Sequence, residues 1–264
     1  MLIKLFLFLG IAYLTALVFA ALISDSIIFP VPPASYEDTP DTLKLKTDTG
    51  AEITVIYLEA PGSEQLLLYS HGNGEDVGTI LDFLKGFQKR GIAVLVYDYP
   101  GYGTSSKKPS ESGVYAAADA VYKLATQRLN FAPEKIVLYG YSLGSGPSCW
   151  LAERYPVHRL ILDGAFTSTF RVMTHMKLFP MDKFDNFSRF KNINCPTLLI
   201  HGTEDRIVPF WHAQKNWKVL RGKKQKFWVD GAGHVNIPEV AGSLYWDTVI
   251  SFIKNTDNVE QTDK

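Results

Sequence analysis

Three side chains of this sequence could together break a carboxylic ester, thioester or amide: Ser142 in YGYSLGSG, Asp205 in HGTEDRIVP and His234 in GAGHVN. A serine hydroxyl is a weak nucleophile at neutral pH and needs an imidazole within hydrogen-bond reach to take its proton as it attacks. The imidazole in turn needs a carboxylate on its far nitrogen, which fixes the tautomer and favours the imidazolium. Ser142 follows the apolar run KIVLY and stands between Gly140 and Gly144. Glycine on both sides suits a sharp strand-to-helix elbow, where a neighbouring β-carbon would obstruct the bend. The same residues also suit an ordinary turn with Ser142 as a helix cap, so this stretch alone leaves both readings open. Of six histidines, His234 is preferred because it lies in a glycine-rich turn after the last apolar run, free to reach inward. His71 and His201 precede glycines at strand ends, where a neutral ring bonded to backbone is the ordinary role. His158, His175 and His212 have no supporting pattern. For the acid, Asp205 follows the strand PTLLIHG; Asp163, after RLILD, is the alternative one strand over.

Attack on a carbonyl also creates an oxyanion, which backbone N–H groups stabilise by about 3 to 4 kcal/mol for a single donor. Leu143, the residue after the serine, is one expected donor. Asn73 in the HGNG turn is the other, with Gly72 and Gly74 letting the backbone approach closely. Taken alone, HGNG is also compatible with a plain strand-end turn.

These residues need a frame that delivers them to one place. LKLKTD and AEITVIYLE, around the turn at Gly50, read as an opening hairpin. QLLLYS, GIAVLVYDY, KIVLYGY, RLILDGA, PTLLIHG and KFWVDGA are short apolar runs of the kind expected of strands covered on both faces. Helical patterns alternate with them. EDVGTILDFLKGFQKRG opens acidic and ends in Lys89, Arg90 and Gly91, which matches the helix dipole and a glycine cap. SGVYAAADAVYKLATQRLN is a second helix, a third starts after Ser142, and LYWDTVISFIKN sets Tyr245, Val249 and Phe252 on one face. The expected class is α/β: a mostly parallel central sheet of about eight strands with helices on both faces. Ligands collect at the carboxyl edge of such sheets. Four of the strands bring HGNG, Ser142, Asp205 and His234 to that edge, in the chain order Ser, Asp, His of the α/β-hydrolases.

At 264 residues, 46% hydrophobic and 20% charged, the chain suits one globular domain with a well-buried core. Its 27 basic and 27 acidic residues argue against a nucleic-acid partner. The basic stretch RGKKQK at 221–226 reads as a solvated loop. Two cysteines, Cys149 and Cys195, allow neither a disulfide framework nor a four-thiolate metal site. From Leu5 to Ile23 the chain is apolar and uncharged; as a helix it rises roughly 28 Å, against a bilayer core of about 30 Å. Residues 1–23 are therefore expected to form an uncleaved transmembrane anchor, with a cleaved signal peptide as the rival. Lys4 on the short side points to a single-pass topology with the catalytic domain outside the cytoplasm. Residues 24–42, rich in proline, read as a spacer, 43–254 as the catalytic domain and 255–264 as a polar tail.

HGNG, DYPGYGTS, GYSLGSG, NCPTLLIHGTEDRIVP and GAGH closely resemble the α/β-hydrolase superfamily. The likeness is to its small, lid-poor branch, which includes membrane-anchored members and protein depalmitoylases and is often labelled serine aminopeptidase-like. It covers about residues 43–254. The resemblance implies Ser142 as nucleophile, Asp205 as acid, His234 as base, and Asn73 with Leu143 as oxyanion donors. One departure stands out: many relatives carry an aspartate or asparagine directly after the histidine, whereas here Val235 follows and Asn236 comes next.

At the position where relatives insert lids lies TFRVMTHMKLFPMDKFDNFSRFKNIN, too short for a large cap. Phe166, Phe170, Met173, Met176 and Phe179 suit either an acyl-binding pocket or an ordinary helix packing its apolar side. The expected activity is hydrolysis of acyl esters or thioesters, on lipids or lipidated proteins, by a membrane-anchored enzyme that uses no metal, nucleotide or flavin. A serine aminopeptidase and a catalytically silent membrane-bound scaffold are the alternatives.

Overall fold

Runs such as LLLYS, AVLVY and RLILD are buried at every position in the computed structural model, which describes residues 2–174 and 182–256. A strand with one wet face could not be written this way; both faces must be covered. The elements, in order, are helix α1 (Leu2–Ile28), strands β1 (Thr42–Lys46), β2 (Glu52–Leu58) and β3 (Leu66–Ser70), helix α2 (Val77–Gln88), strand β4 (Ala93–Tyr97), helix α3 (Glu111–Gln127), strand β5 (Ile136–Tyr141), helix α4 (Ser145–Arg154) and strand β6 (Arg159–Asp163). The short helices α5 (Thr169–Thr174) and α6 (Asn186–Arg189) follow, then β7 (Thr197–Gly202), α7 (Trp211–Val219), β8 (Lys224–Val229), α8 (Ile237–Ala241) and α9 (Ser243–Lys254).

The eight strands form one sheet in the order β1-β2-β4-β3-β5-β6-β7-β8. β1 with β2 and β2 with β4 are antiparallel, and every other pair is parallel. Alternation along β3 divides the core: Leu66 and Leu68 join a cluster with Val114, Ala117 and Val121 of α3, while Leu67 and Tyr69 join another with Leu84 and Phe87 of α2 and Phe252 of α9. Burying one such leucine contributes roughly 1.5 to 3 kcal/mol. From β3 the chain moves to β4 on one side and then crosses to β5 on the other. That reversal opens a crevice at the carboxyl edge, where HGNG and Ser142 both emerge.

Helix α1 runs past the apolar stretch through Ser24, Asp25 and Ser26, and its far end is docked on the domain. Ile28 and Phe29 are buried, the Phe29 ring meets Phe184 edge-on, and Lys183 pairs with Asp25. Among the described residues no helix is long and apolar enough to cross a membrane, so the single-pass anchor expected from residues 1–23 is not supported. The proline-containing segment that follows also makes defined contacts. Ser35 donates its backbone N–H (2.7 Å) and its hydroxyl to Asp76, the N-cap of α2, and Tyr36 donates its hydroxyl to Asp98.

Asp98 is fully buried, and burial pushes its carboxyl up to about 7. In the unfolded chain an aspartate titrates near 3.9. The folded state therefore holds this proton more tightly, and the stability it contributes is complete below about pH 4 and lost as pH rises through about 7. Asp163 is raised to the same value and acts over the same window. Denaturant unfolding across pH 4 to 8 should show that Asp98→Asn reduces the loss of stability with rising pH, because one of the buried raised carboxyls is gone.

Candidate active site

Ser142 stands one residue beyond β5, on a tight turn (Ser142–Gly144) that leads into α4. Its φ is +49°, a left-handed conformation that is costly for a residue with a side chain and persists only where the surroundings impose it. The flanking glycines allow the fit. A β-carbon on Gly140 would lie 2.5 Å from the carbonyl oxygen of Gly144, and one on Gly144 would lie 1.9 Å from that of Ser70. The elbow is thus pressed against the end of β3, and its hydroxyl is turned up at the carboxyl edge.

His234 arrives from the turn after β8. Its Nε2 lies 2.8 Å from Ser142 Oγ and its Nδ1 lies 2.6 Å from Asp205 Oδ2. All three residues are buried. The ring is stacked on Tyr141, with centroids 5.4 Å apart, and the Tyr141 hydroxyl donates to the His234 carbonyl (3.1 Å). Asn236, two residues after His234, accepts from the Gly233 N–H (2.7 Å) and closes the turn. The neighbouring Val235 is 71% exposed.

Asp205 is oriented from the other side. Its Oδ1 accepts the N–H groups of Ile207 (2.9 Å) and Val208 (2.8 Å). Burial pushes its carboxyl up, but the hydrogen bonds from His234 and Val208, with the His234 charge, outweigh it and hold the group below its usual range. Asp163, the alternative acid, accepts instead from Tyr139 (2.7 Å), and burial raises it to about 7. His71 and His201 are buried and bonded to the carbonyls of Gly72 and Val208, each at 2.8 Å. Burial lowers His71 to about 4 and also lowers His201, so both rings are neutral at pH 7.

A profile for the alpha/beta hydrolase fold matches residues 65–190. Alpha/beta hydrolase domain-containing protein 17B of Homo sapiens is 34% identical over 205 residues, 76% of this chain and 71% of that protein. The Xenopus tropicalis protein of the same name is 35% identical over the same shares. The chain belongs to the alpha/beta hydrolase family. Its fold is shared with an esterase of Pyrococcus furiosus (TM-score 0.74, 16% identity, covering 85% of this chain and 98% of that one). An esterase of Exiguobacterium antarcticum has a TM-score of 0.62 at 18% identity, covering 80% and 98%.

The two expected oxyanion donors come from the turn after β5 and the turn after β3. Leu143 begins the turn after Ser142, and the turn after β3 abuts the elbow, since a β-carbon on Gly144 would lie 2.8 Å from the His71 carbonyl oxygen. The Gly72 N–H is engaged by Glu75 Oε2 (2.7 Å), and Asn73 Oδ1 accepts from the Tyr102 hydroxyl (3.0 Å). Helix α2 begins at Val77 with Asp76 as its cap, so Glu75, which reads in sequence as part of an acidic helix start, is turned back on the loop. Phe166 is buried in the core, Phe170 is half-buried against it, and Met173 is 66% exposed on α5. Met176 and Phe179 lie outside the described residues. Among the described residues no group of three His, Cys, Asp or Glu side chains could hold a metal ion.

Gly164, beyond β6, has no catalytic pattern in sequence, yet it makes room for the imidazole. Its φ is +63°, and a β-carbon there would lie 2.8 Å from His234 Cε1. Gly164→Ala should therefore remain folded with a stability loss of about 1 to 2 kcal/mol. Displacing the ring should slow modification of Ser142 by an active-site phosphonate at least about tenfold. Thermal melts and labelling rates of the purified variant check both outcomes.

Proposed function

We propose that this alpha/beta hydrolase is a serine hydrolase that cleaves carboxylic acyl esters or thioesters, with Ser142 as nucleophile, His234 as base and Asp205 as its orienting acid. The observation that carries the reading is the continuous hydrogen-bonded chain from Ser142 Oγ through both nitrogens of His234 to Asp205. As Ser142 Oγ bonds to the carbonyl carbon, its proton passes to His234 Nε2. The carbonyl oxygen, now anionic, accepts from the N–H groups of Leu143 and Asn73. Collapse expels the alcohol or thiol, which takes the proton from His234. Water then adds to the acyl-serine, giving its proton to the same nitrogen, and the acid leaves with Ser142 restored.

The acyl reading also draws support from the esterase folds and from the sequence between β6 and β7, which is too short for a large cap. Helix α1 adds a location. Leu5, Phe6, Leu7, Phe8 and Leu9 are consecutive and all exposed, so this part of the helix is apolar on every side. Such a surface is favoured in contact with lipid, and we infer that it holds the domain at a membrane surface, near acylated lipids or proteins.

An alkyl fluorophosphonate should label the protein at one site, and Ser142→Ala should abolish the signal. Asp205→Asn should lower the rate by about 10⁴-fold. Folded protein that does not label would favour a silent scaffold, and preference for short peptide amides over every ester and thioester would contradict the acyl assignment. Deleting residues 2–23 should release the protein from sedimenting phosphatidylcholine vesicles without lowering turnover of a soluble ester; unchanged sedimentation would remove the membrane role.

A further inference from the structure

A cavity of about 230 Å³ opens beside His234, on the α2 and α8 side of the strand ends. Its walls include three carboxylates, Glu75, Asp163 and Glu239, and no lysine or arginine among the described residues. Tyr69, Phe83 and Tyr141 supply aromatic surface. The deepest of the acids is incompletely bonded: Asp163 is 3% exposed, its Oδ2 accepts from Tyr139, and its Oδ1 has no hydrogen-bond partner. A carboxylate oxygen buried without a donor is costly, and native structures rarely leave one so unless something else comes to it.

We propose that this cavity is a binding site for a small organic ammonium ion. An ammonium N–H supplies the donor that Asp163 Oδ1 lacks, and its charge offsets carboxylates that a neutral water would leave uncompensated. Aromatic faces attract the same charge, as in other sites for alkylated amines. The acids do not gather closely enough to ligate a metal, which separates this site from a cation cage. Glu75 also holds the Gly72 N–H, and burial raises both Glu75 and Asp163. The site stands whether or not Ser142 is a nucleophile.

The test is a thermal melt of the full chain, and of Ser142→Ala, with n-butylammonium chloride, compared with butanol and with sodium chloride at equal ionic strength. The ammonium should raise Tm saturably, by about 5 °C or more at a hundredfold excess over its Kd, and the controls should not. Asp163→Asn should weaken this response at least about tenfold. Because that variant could fail to fold, Val235→Lys provides a second: Val235 is exposed at the rim, and a lysine there places a tethered ammonium in the cavity. It should remove the response, and Val235→Gln should keep it. Equal responses to ammonium and controls would mean a water-filled polar cavity, and a response surviving both Asp163→Asn and Val235→Lys would place the binding elsewhere; either result overturns the proposal. Hydrolysis of a choline ester and its uncharged carbon analogue separates the sources. A preference for the cationic ester that Val235→Lys abolishes assigns the ammonium to the substrate, and equal rates alongside the Tm rise assign it to a free effector.

Discussion

The imidazole of His234 is held at the meeting point of three strand ends by two hydrogen bonds, one to Ser142 and one to Asp205. Much of the carboxyl edge of the sheet is arranged to keep that ring there. Tyr141 stacks on it and fixes the carbonyl of the same residue, Asn236 closes the turn that carries it, and Gly164 withholds the β-carbon that would collide with it. Ser142 is forced into a left-handed conformation by an elbow packed against the end of β3. Each contact is modest in energy. Together they hold a reacting geometry in advance, so that little ordering remains when substrate binds.

Two aspartates, one at the end of β6 and one in the loop after the adjacent β7, show how environment divides one chemistry into two roles. Asp205 receives three hydrogen bonds, from His234 and from the Ile207 and Val208 amides, and is held ionised despite its burial. Asp163 receives one, from Tyr139, and burial dominates. An ionised group is needed to orient an imidazole and stabilise its charged form. The loop after β7 therefore provides the acid for the histidine, and the end of β6 provides a wall of the neighbouring cavity.

Much of this architecture was legible in the sequence because buried parallel strands leave continuous apolar runs, and the residues following four of those runs carry the polar groups of the site. Chain order and glycine placement then separate Ser142, Asp205 and His234 from other residues of the same types. Contacts that depend on tertiary approach were not legible. Gly164 reads as a strand end, Glu75 as a favourable charge at a helix start, and Asp163 as a rival acid, because their partners come from distant segments. Composition alone likewise hid the docking of Ser35 and Tyr36 onto Asp76 and Asp98, since proline-containing chain reads as extended whether or not something receives its side chains. The apolar N-terminal run shows the same limit: an uncharged apolar stretch of this length predicts a helix, which α1 is, but not that its far end is seated on the domain through Ile28 and Phe29.

The most direct measurement is mass spectrometry of the protein quenched in acid during turnover of an activated acyl ester. If Ser142 is the nucleophile, the intact mass rises by that of the acyl group less one hydrogen, and digestion localises the addition to Ser142, with a matching burst of leaving group. Sustained turnover with no acyl adduct and no burst, or an adduct on any other residue, would contradict the account.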